Sequence, residues 1–556
     1  MVRFGRAREP MNPRTLLVFR LSAIVAGVLV LALWWGRRPP VPIIEARREV
    51  PPVMSRPDSS GAVTRRPAPV ADPRGLLAGL QALLDRTGVR ARETVLTFKD
   101  EAGLQRFLDR ANGSQLEVLG QLSGLRSVRV RHRSFSALEA ELIAHAGDYD
   151  AISANYTLGV PTVPVRENRA AVDQVPFGNQ ALGFLGVDTR RQENASWGRG
   201  VTIAILDTGV AGDPTLAGGR LSALDIGLGT TPGTGRDAGH GTAVAALAAG
   251  SSADAPGVAP GANLLSIRVT DANGASDLFT LAQAIATAAD AGARIINVSL
   301  GGHATTPLLD AAIDYAMDRG AVIVAAAGND QAAALAWPAA DPRVISVGAV
   351  DAIAQQVMFS NSGAQLQLTA PGYGVQTAWL DGARALVDGT SASAPLVAGA
   401  IAAVMSQNPG LTAQAAAQIV TQTASDAGVP GSDPAYGHGI LNLDWAMNYQ
   451  RTGYFDTAIA THFHDAAHRQ IQVVIQNRGG QAVTGLTLNV AGGATDTNLT
   501  LPSLMPGESY VAKVPVNEQA LKGAGSLLYT TRLVNPPGVA DAVPDNNERR
   551  SVVIAP

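Results

Sequence analysis

Hydrophobic positions change rhythm several times along the chain. The first long apolar run covers residues 16–36, broken only by Arg20, with Arg3, Arg6, Arg8 and Arg14 before it and Arg37 and Arg38 after it. At about 1.5 Å rise per residue the run reaches about 30 Å, one hydrocarbon core, with Trp34 and Trp35 where interfacial aromatics sit. No small-x-small cleavage site follows, so the run reads as a transmembrane anchor, with a cleaved signal sequence and a buried soluble helix as alternatives. The Arg excess of the basic segment 1–15 predicts that everything after the run lies outside the cytoplasm.

Residues 37–74 are rich in Pro and Arg without apolar period, the composition of a stiff linker. From 75 to 165 the pattern predicts strand 94–98, helix 101–111, strands 116–121 and 127–132, helix 136–146 and strand 151–156. This β-α-β-β-α-β order is that of a ferredoxin-like α+β unit. Arg129, Arg131 and Arg133 alternate with Val128 and Val130, which reads as a solvated strand face over a packed one. Within 166–450 a different rhythm begins. Continuous apolar strands at 201–206, 263–269, 295–299, 321–326 and 344–350 alternate with helical stretches such as 277–289 and 307–319. Strands apolar on both faces imply an α/β fold with a parallel sheet covered on both sides, whose chemistry sits at the carboxyl ends of its strands. From 454 to 556 short alternating runs at 470–476, 483–490, 509–515 and 527–534 predict a small antiparallel β-sandwich.

Composition narrows the function classes. Hydrophobic residues make up 46% and charged ones 16% of 556 residues, with 59 Gly and 33 Pro, which excludes wholesale disorder, coiled coil and collagen. A net charge of -3 gives no field to drive nucleic-acid binding. The absence of Cys removes disulfides, thiol catalysis and thiolate metal sites.

Polar residues beside glycines carry the candidate chemistry. Asp207 ends a strand in Asp207-Thr208-Gly209, His240 opens a helix in Gly239-His240-Gly241-Thr242, and Ser391 opens another in Gly389-Thr390-Ser391. A serine hydroxyl attacks a carbonyl once an imidazole takes its proton, and the imidazole needs a carboxylate to fix its tautomer. Pro395 falls early enough that its missing N–H is expected to cost the helix little. Asn329, in Ala327-Gly328-Asn329 after a strand, can pair its amide with the Ser391 N–H around an oxyanion.

With these four motifs in the order Asp, His, Asn, Ser, residues 174–448 resemble the subtilisin-like serine peptidases. Val175-Pro176-Phe177-Gly178 resembles the start of mature members. The resemblance implies a serine endopeptidase with Asp207, His240 and Ser391 catalytic and Asn329 at the oxyanion. It implies substrate binding by Ser299, Leu300 and Gly301, with Ala326 and Gly328 bounding the pocket for the residue before the scissile bond. Small side chains there imply a preference for apolar or aromatic residues, with Asp330 the one charge near the rim. The unit at 75–165, ending in Ile152-Ser153-Ala154-Asn155-Tyr156, resembles the family's propeptide, an intramolecular inhibitor cut from the enzyme by self-processing.

Thr215 stands where many relatives carry a calcium-binding Asp, and the stretch 250–260 is short, so neither calcium nor another cofactor is expected. His462, His464 and His468 are read as an exposed connector rather than a metal cluster. Residues 541–547 with the strand after them are similar to adhesion-related Ig-like modules of the CARDB type. The sequence therefore predicts a membrane-anchored or secreted peptidase acting on proteins or peptides. The alternative is a surface binding protein that keeps a peptidase-like domain as scaffold.

Overall fold

A computed structural model describes residues 43–44, 80–84, 87–160, 174–187, 192–492 and 496–555. The expected anchor at 16–36, the linker at 37–74 apart from residues 43–44, and the stretch 161–173 lie outside the described residues. Among the described residues no helix is long and apolar enough to cross a membrane. The described residues from 44 onward form one compact unit.

The α+β unit is built from β1 (Val89–Phe98), α1 (Glu101–Ala111), β2 (Leu116–Leu122), β3 (Ser127–His132), α2 (Phe135–Ala144) and β4 (Tyr149–Gly159). Asp100 caps α1 by accepting from the Gly103 N–H, and Ser134 caps α2 by accepting from the Ala137 N–H. The apolar faces of both helices cover the sheet through Leu104, Phe107 and Leu138 against Leu96 and Phe98. The strands are antiparallel in the order β4-β1-β3-β2. That is the ferredoxin-like order the sequence implies.

The central domain contributes β5 (Thr202–Asp207), β6 (Leu221–Leu224), α3 (His240–Ala249), β7 (Asn263–Arg268), β8 (Ala275–Asp277), α4 (Leu278–Asp290), β9 (Ile295–Val298), α5 (Pro307–Asp318), β10 (Val322–Ala326), β11 (Ile345–Val350), β12 (Leu368–Pro371), β13 (Val375–Ala378), β14 (Arg384–Val387) and α6 (Thr390–Gln407). Seven strands pair in the order β12-β11-β10-β9-β5-β7-β6, all parallel. Period-two alternation explains their unbroken apolar sequence. Ile203 and Ile205 of β5 belong to the core under α3 and α6, while Ala204 and Leu206 belong to the core under α4 and α5. Each face needs its own apolar set, so a strand with two covered faces has no polar positions to spare.

The C-terminal strands are β15 (Thr457–Asp465), β16 (Gln470–Asn477), β17 (Thr487–Gly492), β18 (Thr497–Thr500), β19 (Ser509–Pro515), β20 (Ser526–Val534) and β21 (Glu548–Ile554). One sheet runs β15-β16-β19 and the other contains β21-β20-β17-β18, with side chains of both in one core.

Three expectations are corrected. His462 and His464 are not on an exposed connector but buried in β15, where His462 Nδ1 and Nε2 lie 2.9 and 2.6 Å from the Ser551 and Thr531 hydroxyls. Burial and the nearby Arg549 push the His462 imidazole down to about 3. Arg129 is not on a solvated face: its Nη1 donates to Asp277 Oδ2 at 3.1 Å, with 24% of the side chain exposed. Pro395 does remove a helical bond, because residue 395 of α6 would have donated to the Ser391 carbonyl. That carbonyl accepts instead from Ser299 Oγ at 3.2 Å.

The segment after β5 and the turn after α3 are tied by side chains. Arg384 donates Nη1 to Asp213 Oδ2 at 3.0 Å and Nε to Asp254 Oδ2 at 2.8 Å, and the Asp213 side chain is 0% exposed. Thr215 Oγ1 donates to the Ala255 carbonyl and accepts from the N–H groups of Ser251 and Ser252. These residues do not fit a calcium ion, since a guanidinium already neutralises the carboxylate and the hydroxyl is committed. Arg384→Ala should cost about 1–3 kcal/mol by leaving Oδ2 of the buried Asp213 carboxylate without its donor. Calorimetry should show Tm falling by several degrees in that variant and holding steady in wild type with EDTA. An unchanged Tm in the variant, or a fall on chelation, would refute this account.

Candidate active site

The parallel order brings the carboxyl ends of β5, β9 and β10 side by side. Asp207 closes β5 with 1% of its surface exposed. Its Oδ1 accepts from the Thr208 N–H at 2.7 Å and lies 2.8 Å from His240 Nδ1. His240 is the first residue of α3, and its side chain is 13% exposed. Close approach is possible because Gly241 follows: a Cβ there would lie 2.3 Å from the Gly209 carbonyl oxygen and 3.2 Å from Asp207 Cβ. Thr208 braces the same junction, accepting from the Gly241 N–H and donating to the Ala238 carbonyl.

Burial pulls the His240 pKa down, but the charge and hydrogen bond of Asp207, with Asp237 adding, outweigh it and hold the imidazole above its ordinary value. Trp379 covers the backbone beside it. A Cβ at Gly239 would fall 2.3 Å from the indole, so only glycine fits.

Ser391 is the second residue of α6 and 3% exposed, and the N-cap Gly389 offers no side-chain cap. In place of a cap, Asn329 Oδ1 accepts from both the N–H and the hydroxyl of Thr390, at 3.0 and 2.9 Å. This fixes the Asn329 amide so that Nδ2 turns toward the turn that carries Ser391. The Cβ position of Gly389 is 3.0 Å from both Asn329 Nδ2 and Ser391 Oγ, so amide and hydroxyl close on one point. Gly328, at φ +106, makes the bend that delivers Asn329 and donates its N–H to Thr390 Oγ1. Asn361 Oδ1 holds the next turn by accepting from the N–H groups of Asp330 and Ala332.

Beyond β9, Ser299 Oγ accepts from Asn297 Nδ2 while donating to the Ser391 carbonyl. Leu300 is buried, and Gly301 bridges antiparallel to Gly159, with N–H to oxygen distances of 3.3 and 3.5 Å. On the other side, β8 pairs antiparallel with Thr157, Leu158 and Gly159 at the end of β4. The chain at 157–159 is thus the middle strand of three. Ala326 ends β10 with its side chain in the core on the α6 side. Sequence reasoning missed Thr390, Asn361, Trp379 and the linking hydroxyl of Ser299. Thr390 lay within a motif already noted, whereas nothing in the sequence pointed to Asn361 or Trp379.

The sequence pattern of the subtilase family, Peptidase_S8, matches residues 198–439. A thermostable alkaline protease of Halalkalibacterium halodurans is 34% identical over 288 residues, 51% of this chain and 77% of that protein. Subtilisin Savinase of Lederbergia lenta is 35% identical over 251 residues, 45% of this chain and 91% of that protein. In structure, the chain is similar to fervidolysin of Fervidobacterium pennivorans, described as a keratinolytic enzyme related to subtilisin. The TM-score is 0.55 at 20% identity, covering 84% of this chain and 77% of that one, and it bears on the fold alone. The parallel sheet and the matches over most of the length of these proteases lead to one conclusion: the chain belongs to the subtilase family and is a subtilisin-like serine endopeptidase.

Proposed function

We propose that Ser391 is the nucleophile, His240 the general base and then acid, and Asp207 the residue that orients and charge-stabilises the imidazole. The observation that carries this reading is the 2.8 Å contact from His240 Nδ1 to a carboxylate oxygen with 1% residue exposure. It leaves Nε2 as the nitrogen to take the Ser391 proton. As the hydroxyl oxygen bonds to the substrate carbonyl carbon, the carbonyl oxygen gains negative charge between Asn329 Nδ2 and the Ser391 N–H. His240 then protonates the leaving amine, and water, deprotonated by the same imidazole, hydrolyses the acyl-enzyme. The substrate backbone pairs between β8 and Gly301 as residues 157–159 do, which is strand addition with affinity from main-chain bonds.

The unit at 75–165 acts as a propeptide in this reading, because its last strand occupies that track. Self-cleavage falls between Thr157 and Gln174, and the sandwich at 454–556 is an accessory domain. The enzyme works outside the cytoplasm, anchored through 16–36 or released if that segment is cut.

Purified Ser391→Ala should remain uncut where wild type matures, read by intact mass. Maturation of that variant without other proteases would disprove self-processing.

The pH profile supplies a second test. The base must be neutral, so kcat/KM rises as His240 loses its proton, and its raised pKa puts this limb above the ordinary 6.5. Asp237→Asn removes one of the charges that raise it. The acid limb should therefore move to lower pH, whereas a limb that stays put would show that Asp237 does not act on His240.

Ser299→Ala leaves the Ser391 carbonyl without its donor, which should cost about 1–3 kcal/mol of stability and lower kcat more than it alters KM. Unaltered kcat would sink this role for the hydroxyl.

A further inference from the structure

We propose that the contact of Asp277 with the guanidinium groups of Arg129 and Arg90 is an electrostatic latch. It sets how long the severed N-terminal unit stays on the peptidase, so that ionic strength governs activation. This rests on the reading of residues 75–165 as a self-cleaved propeptide. The latch joins side chains from either side of the cut, Arg90 and Arg129 before it and Asp277 after it, so cleavage of the backbone leaves it intact. What cleavage removes is the covalent tether, and with it the high effective concentration of the inhibitor.

The two oxygens of Asp277 do different work. Oδ1 caps α4, accepting from the N–H and the hydroxyl of Thr280, both at 2.9 Å. Oδ2 faces the N-terminal unit, 3.1 Å from Arg129 Nη1 and 3.5 Å from Arg90 Nε. The Asp277 side chain is 5% exposed, whereas Arg129 and Arg90 are 24% and 33% exposed. A carboxylate this enclosed is costly to hold without a counter-charge, but its cations remain within reach of dissolved ions.

The neighbouring contacts align the latch without adding net charge to it. Phe279 is 1% exposed and sits beneath Gly120, where a Cβ would lie 2.9 Å from its ring. The Arg129 guanidinium stands 5.2 Å from the centre of the same ring. Buried Asn155 accepts from the Phe279 N–H and donates to Glu93, which also takes a bond from Arg131. Strand pairing between β4 and β8 is made by backbone and is blind to salt. Among the described residues the ion pairs of this face run through Asp277, so this contact is the one whose strength ions can change, and charge pairs of this kind act chiefly on dissociation.

The test uses the full-length protein and follows cleavage on gels beside activity on a small chromogenic peptide. The delay between cutting and activity measures how long the severed unit stays bound. In wild type the delay should shorten progressively as NaCl is raised, while the activity of fully matured enzyme changes little. Arg129→Gln should shorten it about tenfold at low salt and flatten its salt dependence. An unchanged rate of cutting in that variant reports that its N-terminal unit folds. If cutting is slowed, Arg90→Gln, at the more exposed guanidinium, supplies the same comparison. A delay that ignores both NaCl and the substitutions while cutting proceeds normally overturns the latch alone. A wild-type chain that is never cut, or a Ser391→Ala chain that is, overturns the propeptide reading and the latch with it.

Discussion

A carboxylate with 1% exposure must have its charge matched inside the protein, and Asp207 does so with one oxygen, which receives the Thr208 N–H and faces His240 Nδ1. Much of the local sequence answers this requirement. Gly241 lets α3 press its first turn onto the end of β5, and Thr208 braces the two. The order β10-β9-β5 then puts the segments bearing Asn329, Ser299 and Asp207 at neighbouring strand ends, from three distant stretches of chain. The site is therefore a property of the sheet's topology. The loops supply the glycines that let its parts touch.

The parts of the fold that read clearly in the sequence are those whose period is set by one physical demand. β5, β7, β9, β10 and β11 are apolar on both faces because helices cover both, and their boundaries fall within a residue or two of the hydrophobic runs. The helices over 277–289 and 307–319 are legible for the same reason, with Asp277 acting as an N-cap rather than a helical residue. Short elements outside the parallel sheet were not legible. β8, β13 and β14 have three or four residues each, and their pairing is imposed by tertiary contact. In the sandwich, the run at 483–490 breaks because Val483 bridges to Leu504 before a turn at Gly485, and the strand begins only at Thr487. Buried His462 escaped because its polarity is answered by Ser551 and Thr531, residues no local pattern links to it.

Arg129 shows how an alternating strand misleads in a different way. Its spacing with Arg131 and Arg133 does mark one face of β3, and Arg131 is about half exposed and bonds Glu93. The same face near the sheet edge is taken up by α4 from the catalytic domain. Alternation identifies which side chains share a face, but whether that face meets solvent depends on what else the chain brings to it. Here it brings the start of a helix. Its Phe279 N–H is capped by Asn155 of the α+β unit, while its Thr280 N–H is capped by its own Asp277. One helix terminus is thus satisfied jointly by two parts of the chain.

Pro395 draws Ser391 into the same sharing of backbone groups. A helix interior normally closes each carbonyl with the N–H four residues on, and proline at 395 leaves the Ser391 carbonyl open. An open buried carbonyl needs a partner, and the one it finds is the Ser299 hydroxyl on the segment after β9, itself held by Asn297. The helix that presents Ser391 is consequently bonded through that residue's own backbone to the segment whose Gly301 pairs with an extended strand. A missing helical hydrogen bond has become a cross-link between the Ser391 peptide and the segment against which residues 157–159 lie.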